Sequence, residues 1–125
     1  MEINLPDVVE EVTRAFHAYE AALTGNDIET LDTLFWGGQH VIRYGVTENL
    51  HGEDEIRAFR MTRPSRGLDR TLHNTVITTF GRDFATANTE FMRRGSVRIG
   101  RQSQTWARLP EGWRIVAAHV SLMEE

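Results

Sequence analysis

The sequence has neither cysteine nor lysine among its 125 residues. Without cysteine there are no disulfides, thiol nucleophiles or thiolate metal ligands, and a reducing cytoplasm is the expected setting. Without lysine, Schiff-base chemistry on a side chain is excluded. All 14 Lys and Arg positions are therefore arginine, whose forked donors suit planar carboxylates. No apolar run approaches the roughly 18–20 residues of a membrane helix, and no basic start with an apolar stretch marks a signal peptide. Glycine-rich phosphate loops, H-E-x-x-H metal signatures and G-x-S-x-G elbows are also missing. His17, His40, His51, His73 and His119 have no ligand spacing, so no metal site is expected. A formal net charge of −4 argues against a nucleic-acid partner.

What remains is an ordinary globular composition, 40% hydrophobic and 26% charged, sufficient for one domain over residues 1–125. Asp7 and Glu10 have capping-box spacing after Pro6, so a first helix is expected to start at Asp7. Val9, Val12, Phe16, Tyr19 and Leu23 extend it as one apolar stripe, with Glu10, Glu11, Arg14, His17 and Glu20 largely outside. Gly25 should stop it. Asp27 caps a second helix carrying Ile28, Leu31, Leu34 and Phe35, which Gly37-Gly38 breaks. A strand over residues 40–46 and a short extension to Gly52 come next. Glu53 to Thr62 then reads as a third helix, closed by Pro64.

Beyond Leu68 the texture becomes β. Thr71–Phe80 and Phe84–Arg94 flank the Gly81-Arg82-Asp83 turn, and a further strand carries Gln102, Gln104 and Trp106 on one face. After Pro110-Glu111-Gly112, the final strand runs from Trp113 to Leu122. There Val116, Ala118 and Val120 oppose Ile115, Ala117, His119 and Ser121. Both sets are mostly apolar, which predicts a central position in the sheet, and His119 reads as a core histidine. Helices ahead of an antiparallel meander indicate an α+β fold. A curved sheet wrapped around the first helix makes a cone whose mouth is a natural ligand pocket. Apolar residues on both faces of the meander point to a homodimer through the outer sheet face.

Candidate chemistry centres on Arg43 and Tyr19. Period two places Val41, Arg43 and Gly45 on one strand face, so Arg43 is either solvated or aimed into a pocket. Tyr19 is the one polar-tipped residue on the buried helical stripe, either a core tyrosine bonded to a carbonyl or a group facing the mouth. Arg60 and Arg63 follow Ile56 on the same side of the third helix, with Arg66 in the loop beyond. They either snorkel along the rim or form an anion site. Acidic residues fall mostly on exposed helix faces or in turns, and no inward carboxylate pair is evident.

Several blocks then carry a specific likeness: Phe16-His17-Ala18-Tyr19-Glu20, Leu34-Phe35-Trp36, Ile42-Arg43-Tyr44-Gly45-Val46, Gly100-Arg101-Gln102-Ser103-Gln104-Thr105-Trp106 and Gly112-Trp113-Arg114-Ile115-Val116-Ala117-Ala118-His119-Val120-Ser121. In this order they resemble the AtzH-like family, within the nuclear transport factor 2-like cone shared with SnoaL-type cyclases and ketosteroid isomerases. The resemblance implies decarboxylation of 1,3-dicarboxyurea to allophanate in cyanuric acid catabolism. It also implies that Tyr19 and Arg43 are the catalytic tyrosine and arginine. A planar dianion of this kind needs opposing charge and bidentate donors, which Arg43, Arg60, Arg63 and Arg66 can supply. Its nitrogen needs a proton as the C–N bond breaks, and no electron-sink cofactor, because the urea carbonyl flanks that nitrogen. Tyr19 can give the proton, beside an Arg43 that stabilises phenolate. Gln102 or Gln104 can hold the urea oxygen, according to which face of their strand points inward. Two other classes share the cone: an acid–base isomerase or cyclase, and a non-catalytic module that binds small carboxylates or another chain.

Overall fold

Pro6 has no amide proton to leave unpaired and its φ is preset for a helix, so it opens α1 (Pro6–Thr24). The expected cap at Asp7 is corrected by this geometry. Leu5 occupies the cap position with no side-chain bond, and Asp7, already inside the first turn, bonds to Arg82 at 2.9 Å. Val8, Val12, Phe16, Tyr19, Ala22 and Leu23 form the buried stripe, so Val8 rather than Val9 begins it. Each large apolar side chain in it contributes roughly 1.5–3 kcal/mol by leaving water. Gly25 ends the helix, and Asp27 caps α2 (Ile28–Leu34) by accepting from the Thr30 amide and hydroxyl.

The computed structural model describes residues 1–125. After α2 come β1 (Ile42–Tyr44), β2 (Asn49–His51) and α3 (Glu53–Thr62), then β3 (Arg70–Phe80), β4 (Phe84–Arg93), β5 (Gly100–Leu109) and β6 (Gly112–Leu122). The fold is α+β, with one curved sheet in the order β2-β1-β6-β5-β4-β3. β6 is interior as expected, because β1 pairs with it in parallel while β5 pairs antiparallel. The β1 strand is much shorter than expected, and β2, read only as an extension, is a strand of its own.

The inner face of the sheet packs on α1 through Ala85, Ala87, Trp106, Trp113, Ile115 and Ala118. Two sequence expectations for β6 fail for one reason. Thr105 pairs with Ala117 but Trp106 with Ile115, so a bulge inserts Val116. An extra residue reverses the inside–outside phase. Trp113 and Ile115 are buried before the bulge, and Ala118 and Val120 after it. His119 is thereby turned outward and exposed, not buried in the core. Its ring meets Tyr44 edge-on at 5.8 Å, and Tyr44 meets His51 at 5.6 Å. No helix is long and apolar enough to cross a membrane.

Candidate active site

At the open end of the cone lies a cavity of about 270 Å³, reached by α1, β1, α3 and the ends of the meander strands. Tyr19 is 3% exposed and lines it. Its ring packs on Phe35, with centroids 6.2 Å apart, and its hydroxyl has no protein partner, so it opens on the cavity. The alternative of a core tyrosine bonded to a carbonyl does not hold.

Four arginines line the same space: Arg43, Arg63, Arg70 and Arg93. They sit in two pairs, each over one phenylalanine. Arg43 and Arg63 lie 5.2 and 5.8 Å from the Phe59 ring centroid. Arg70 and Arg93 lie 4.5 and 5.6 Å from that of Phe91. In each pair one member has a carboxylate partner. Arg43 donates to Glu48 at 3.0 Å. Arg70 donates twice to Glu20, at 2.9 and 2.6 Å, and again to the Gln102 side-chain oxygen at 2.9 Å. Gly45 makes room for the first arrangement, since a Cβ there would collide with the Glu48 carboxylate.

Charge in this space moves several titrations. Burial would raise the Glu48 carboxyl, but bonds from Thr47 and Arg43 overturn that and hold it below its ordinary value. Burial lowers the Arg63 guanidinium, Arg43 adds to that, and Tyr19 opposes it. Arg93 is lowered by burial and by Arg70 and Arg43. Cations crowded this way favour an anionic occupant.

The profile of the AtzH-like family matches residues 1–125. The chain belongs to the AtzH-like family. A crystal structure of a protein of unknown function from Pectobacterium atrosepticum is 64% identical, covering 98% of this chain and 95% of that one, with a TM-score of 0.96. A cystatin-like fold protein from Burkholderia xenovorans is 52% identical over 100% of this chain and 98% of that one, also at 0.96. A nuclear transport factor 2-like superfamily protein from Salmonella enterica is 26% identical over 95% and 93%, at 0.76. No curated protein matches.

Of the residues singled out in this AtzH-like sequence, Tyr19, Arg43, Arg63 and Gln102 line the cavity together. Arg60, Arg66 and Gln104 do not. Arg60 is buried against Asp32, donating at 2.7 Å, with its guanidinium 4.3 Å from the Phe35 centroid. Burial lowers it, and Tyr19 and Asp32 oppose that. Arg66 is exposed in a bend after α3 and makes no side-chain bond. Gln104 shares the inward face of β5 with Gln102, but one step deeper, where it accepts from the Trp106 indole at 3.0 Å. The inward carboxylates Glu20 and Glu48 and the arginines Arg70 and Arg93 escaped the sequence reading. For Arg93 a signal was present: Ala85, Ala87, Thr89 and Phe91 alternate inward along β4, and Arg93 continues their phase. No group of three or more His, Asp or Glu side chains could hold a metal ion.

Proposed function

We propose that this AtzH-like protein is a decarboxylase that removes carbon dioxide from 1,3-dicarboxyurea, leaving allophanate, in the cytoplasmic breakdown of cyanuric acid. The observation that carries this reading is the charge balance of the cavity. Four guanidinium groups face two carboxylates, Glu20 and Glu48, so two positive charges stay unmatched, as a small planar dianion requires. Tyr19 is the uncharged acid in the same space. As the C–N bond of one carbamate end breaks, its electron pair stays on nitrogen and takes the phenol proton. Carbon dioxide leaves neutral, and water at the mouth returns a proton to the phenolate. Arg43 and its neighbours stabilise that phenolate, and the urea carbonyl shares the charge on nitrogen, so no electron-sink cofactor is needed.

An acid–base isomerase would need a carboxylate poised to take a proton. Glu20 is taken up by two bonds from Arg70, and Glu48, which lines the cavity, has its carboxylate engaged by Arg43 and both donors of Thr47. That makes each a poor base and favours the decarboxylase. A non-catalytic carboxylate-binding module is separated by turnover. We also propose that the outer sheet face, with the His51–Tyr44–His119 ladder, joins two copies of the chain.

Tyr19→Phe tests the reading. The hydroxyl bonds to nothing in the protein, so stability should change by less than about 1 kcal/mol. KM should hold while kcat falls by about 10²–10⁴. The assay is bicarbonate or allophanate release from freshly generated 1,3-dicarboxyurea, corrected for spontaneous decay. Wild-type turnover by the variant would remove the proton donor.

A further inference from the structure

Arg63 and Arg93 are the two cavity arginines with no carboxylate partner and no side-chain hydrogen bond. Nε and one terminal nitrogen of Arg63 are buried without any partner. These two arginines belong to opposite walls. Arg63 shares Phe59 with Arg43 on the β1 side, whereas Arg93 shares Phe91 with Arg70 at the ends of β4 and β3. β1 and β4 are three strand spacings apart, about 14 Å along the sheet before side chains reach inward.

Gln102 stands on β5 between those walls and is 2% exposed. Arg70 is a donor only, so the oxygen of the Gln102 amide must face it, as the 2.9 Å bond shows. Arg70 is itself fixed by two bonds to Glu20. The amide is therefore set with Nε2 as a buried donor that has no partner. Such a group costs stability unless something fills its bond.

We infer that the cavity is a two-ended dicarboxylate site, in which Arg63 takes one carboxylate, Arg93 takes the other, and Gln102 Nε2 donates to an oxygen at the ligand's centre. Glu20 and Arg70 are positioning residues that orient Gln102. This deepens the decarboxylase reading by assigning the end that is held and not cleaved, and it makes Arg93 a determinant of specificity for doubly charged substrates.

Glutarate is a stable probe, with the same five-atom spine as 1,3-dicarboxyurea, and butyrate is its one-ended counterpart. Calorimetric titration should show the wild type preferring glutarate by about tenfold or more. Arg63→Met should abolish most of that preference. Arg93→Met, at a more exposed position, should reduce it about fivefold, and Arg93→Lys should recover part of it. Butyrate binding should stay within about twofold in each variant, with circular dichroism melting to confirm folding. Fresh 3-oxoglutarate should bind better than glutarate to the wild type, and Gln102→Leu should remove that increment. Equal affinity of the wild type for glutarate and butyrate, or an undiminished preference in Arg93→Met, would overturn the inference. Turnover of 1,3-dicarboxyurea, measured in parallel, separates the two ideas. A glutarate preference without turnover removes only the decarboxylase, and turnover without the preference removes only the two-ended site.

Discussion

Removing Asp32 should hurt the fold far more than removing its partner Arg60. The pair is close, with Arg60 donating at 2.7 Å, yet the two sides differ in exposure: 3% for Arg60 and 22% for Asp32. In Asp32→Ala the guanidinium stays buried over Phe35 without an anion, and losing one member of a buried pair costs about 3–5 kcal/mol. The lower end, about 3 kcal/mol, is appropriate because the cation–π contact remains. In Arg60→Met the orphan is Asp32, which reaches water and keeps Arg57 Nε at 3.5 Å. The methionine also still covers Phe35, so about 1 kcal/mol is expected. Unfolding entropy for 125 residues is about 260 cal/mol/K near 60 °C, so each kcal/mol moves Tm by about 4 °C. Thermal melts should therefore fall by about 12 °C for Asp32→Ala and about 4 °C for Arg60→Met. Equal shifts, or a larger one for Arg60→Met, would refute the reasoning that the orphaned buried charge sets the cost.

Other outcomes follow from single contacts. A Cβ added at Gly100 would collide with the edge of the buried Phe91 ring, so Gly100→Ala should cost about 1–3 kcal/mol in urea denaturation, and Phe91→Leu in the same chain should recover part of it. The Glu48 carboxyl titrates below its unfolded value. Its stabilising contribution is thus present above that unfolded value and fades as pH falls through the lower folded one. The urea midpoint of the wild type should exceed that of Glu48→Gln near pH 6 and converge with it towards pH 3; a constant gap would count against the pairing with Arg43. Light scattering should give twice the 14.3 kDa chain mass at micromolar concentration, and a monomer would dismiss the outer-face dimer.

The parts of this fold that were legible in the sequence are those where one local period decides. The α3 helix runs over Glu53–Thr62 as its apolar spacing indicates, and the meander turns fall where glycine and proline put them. Tyr19 was conspicuous because a polar tip interrupted an apolar stripe. The β6 face assignment failed because a one-residue bulge leaves no compositional trace, and everything after Val116 reverses. For Arg60, helical spacing gives a side, which suits an anion ligand, but not a partner. Asp32, on another helix, claims it from 28 positions away. Glu20 looked like a solvated helix residue for the same reason: its partner Arg70 lies 50 positions on. Glu48 is a short-range case, but its inward turn depends on the space left at Gly45.

The distribution of counterions follows from desolvation. A guanidinium taken from water costs several kcal/mol unless it is paired. Two of the cavity arginines have carboxylates: Arg70, at 4% exposure, holds Glu20, and Arg43, at 11%, holds Glu48. Of the two without, Arg93 lies at the exposed rim, whereas Arg63 keeps Nε and one terminal nitrogen buried without a partner. Both rest on aromatic faces, which attract cations without neutralising them. Arg93 can keep its charge at the rim because water reaches it there, while the buried nitrogens of Arg63 are left for a ligand to satisfy. A ligand that displaces that water must replace its solvation with negative charge of its own. A neutral or singly charged molecule of the same shape leaves at least one guanidinium poorly solvated, so the cavity discriminates by rejection as well as by attraction.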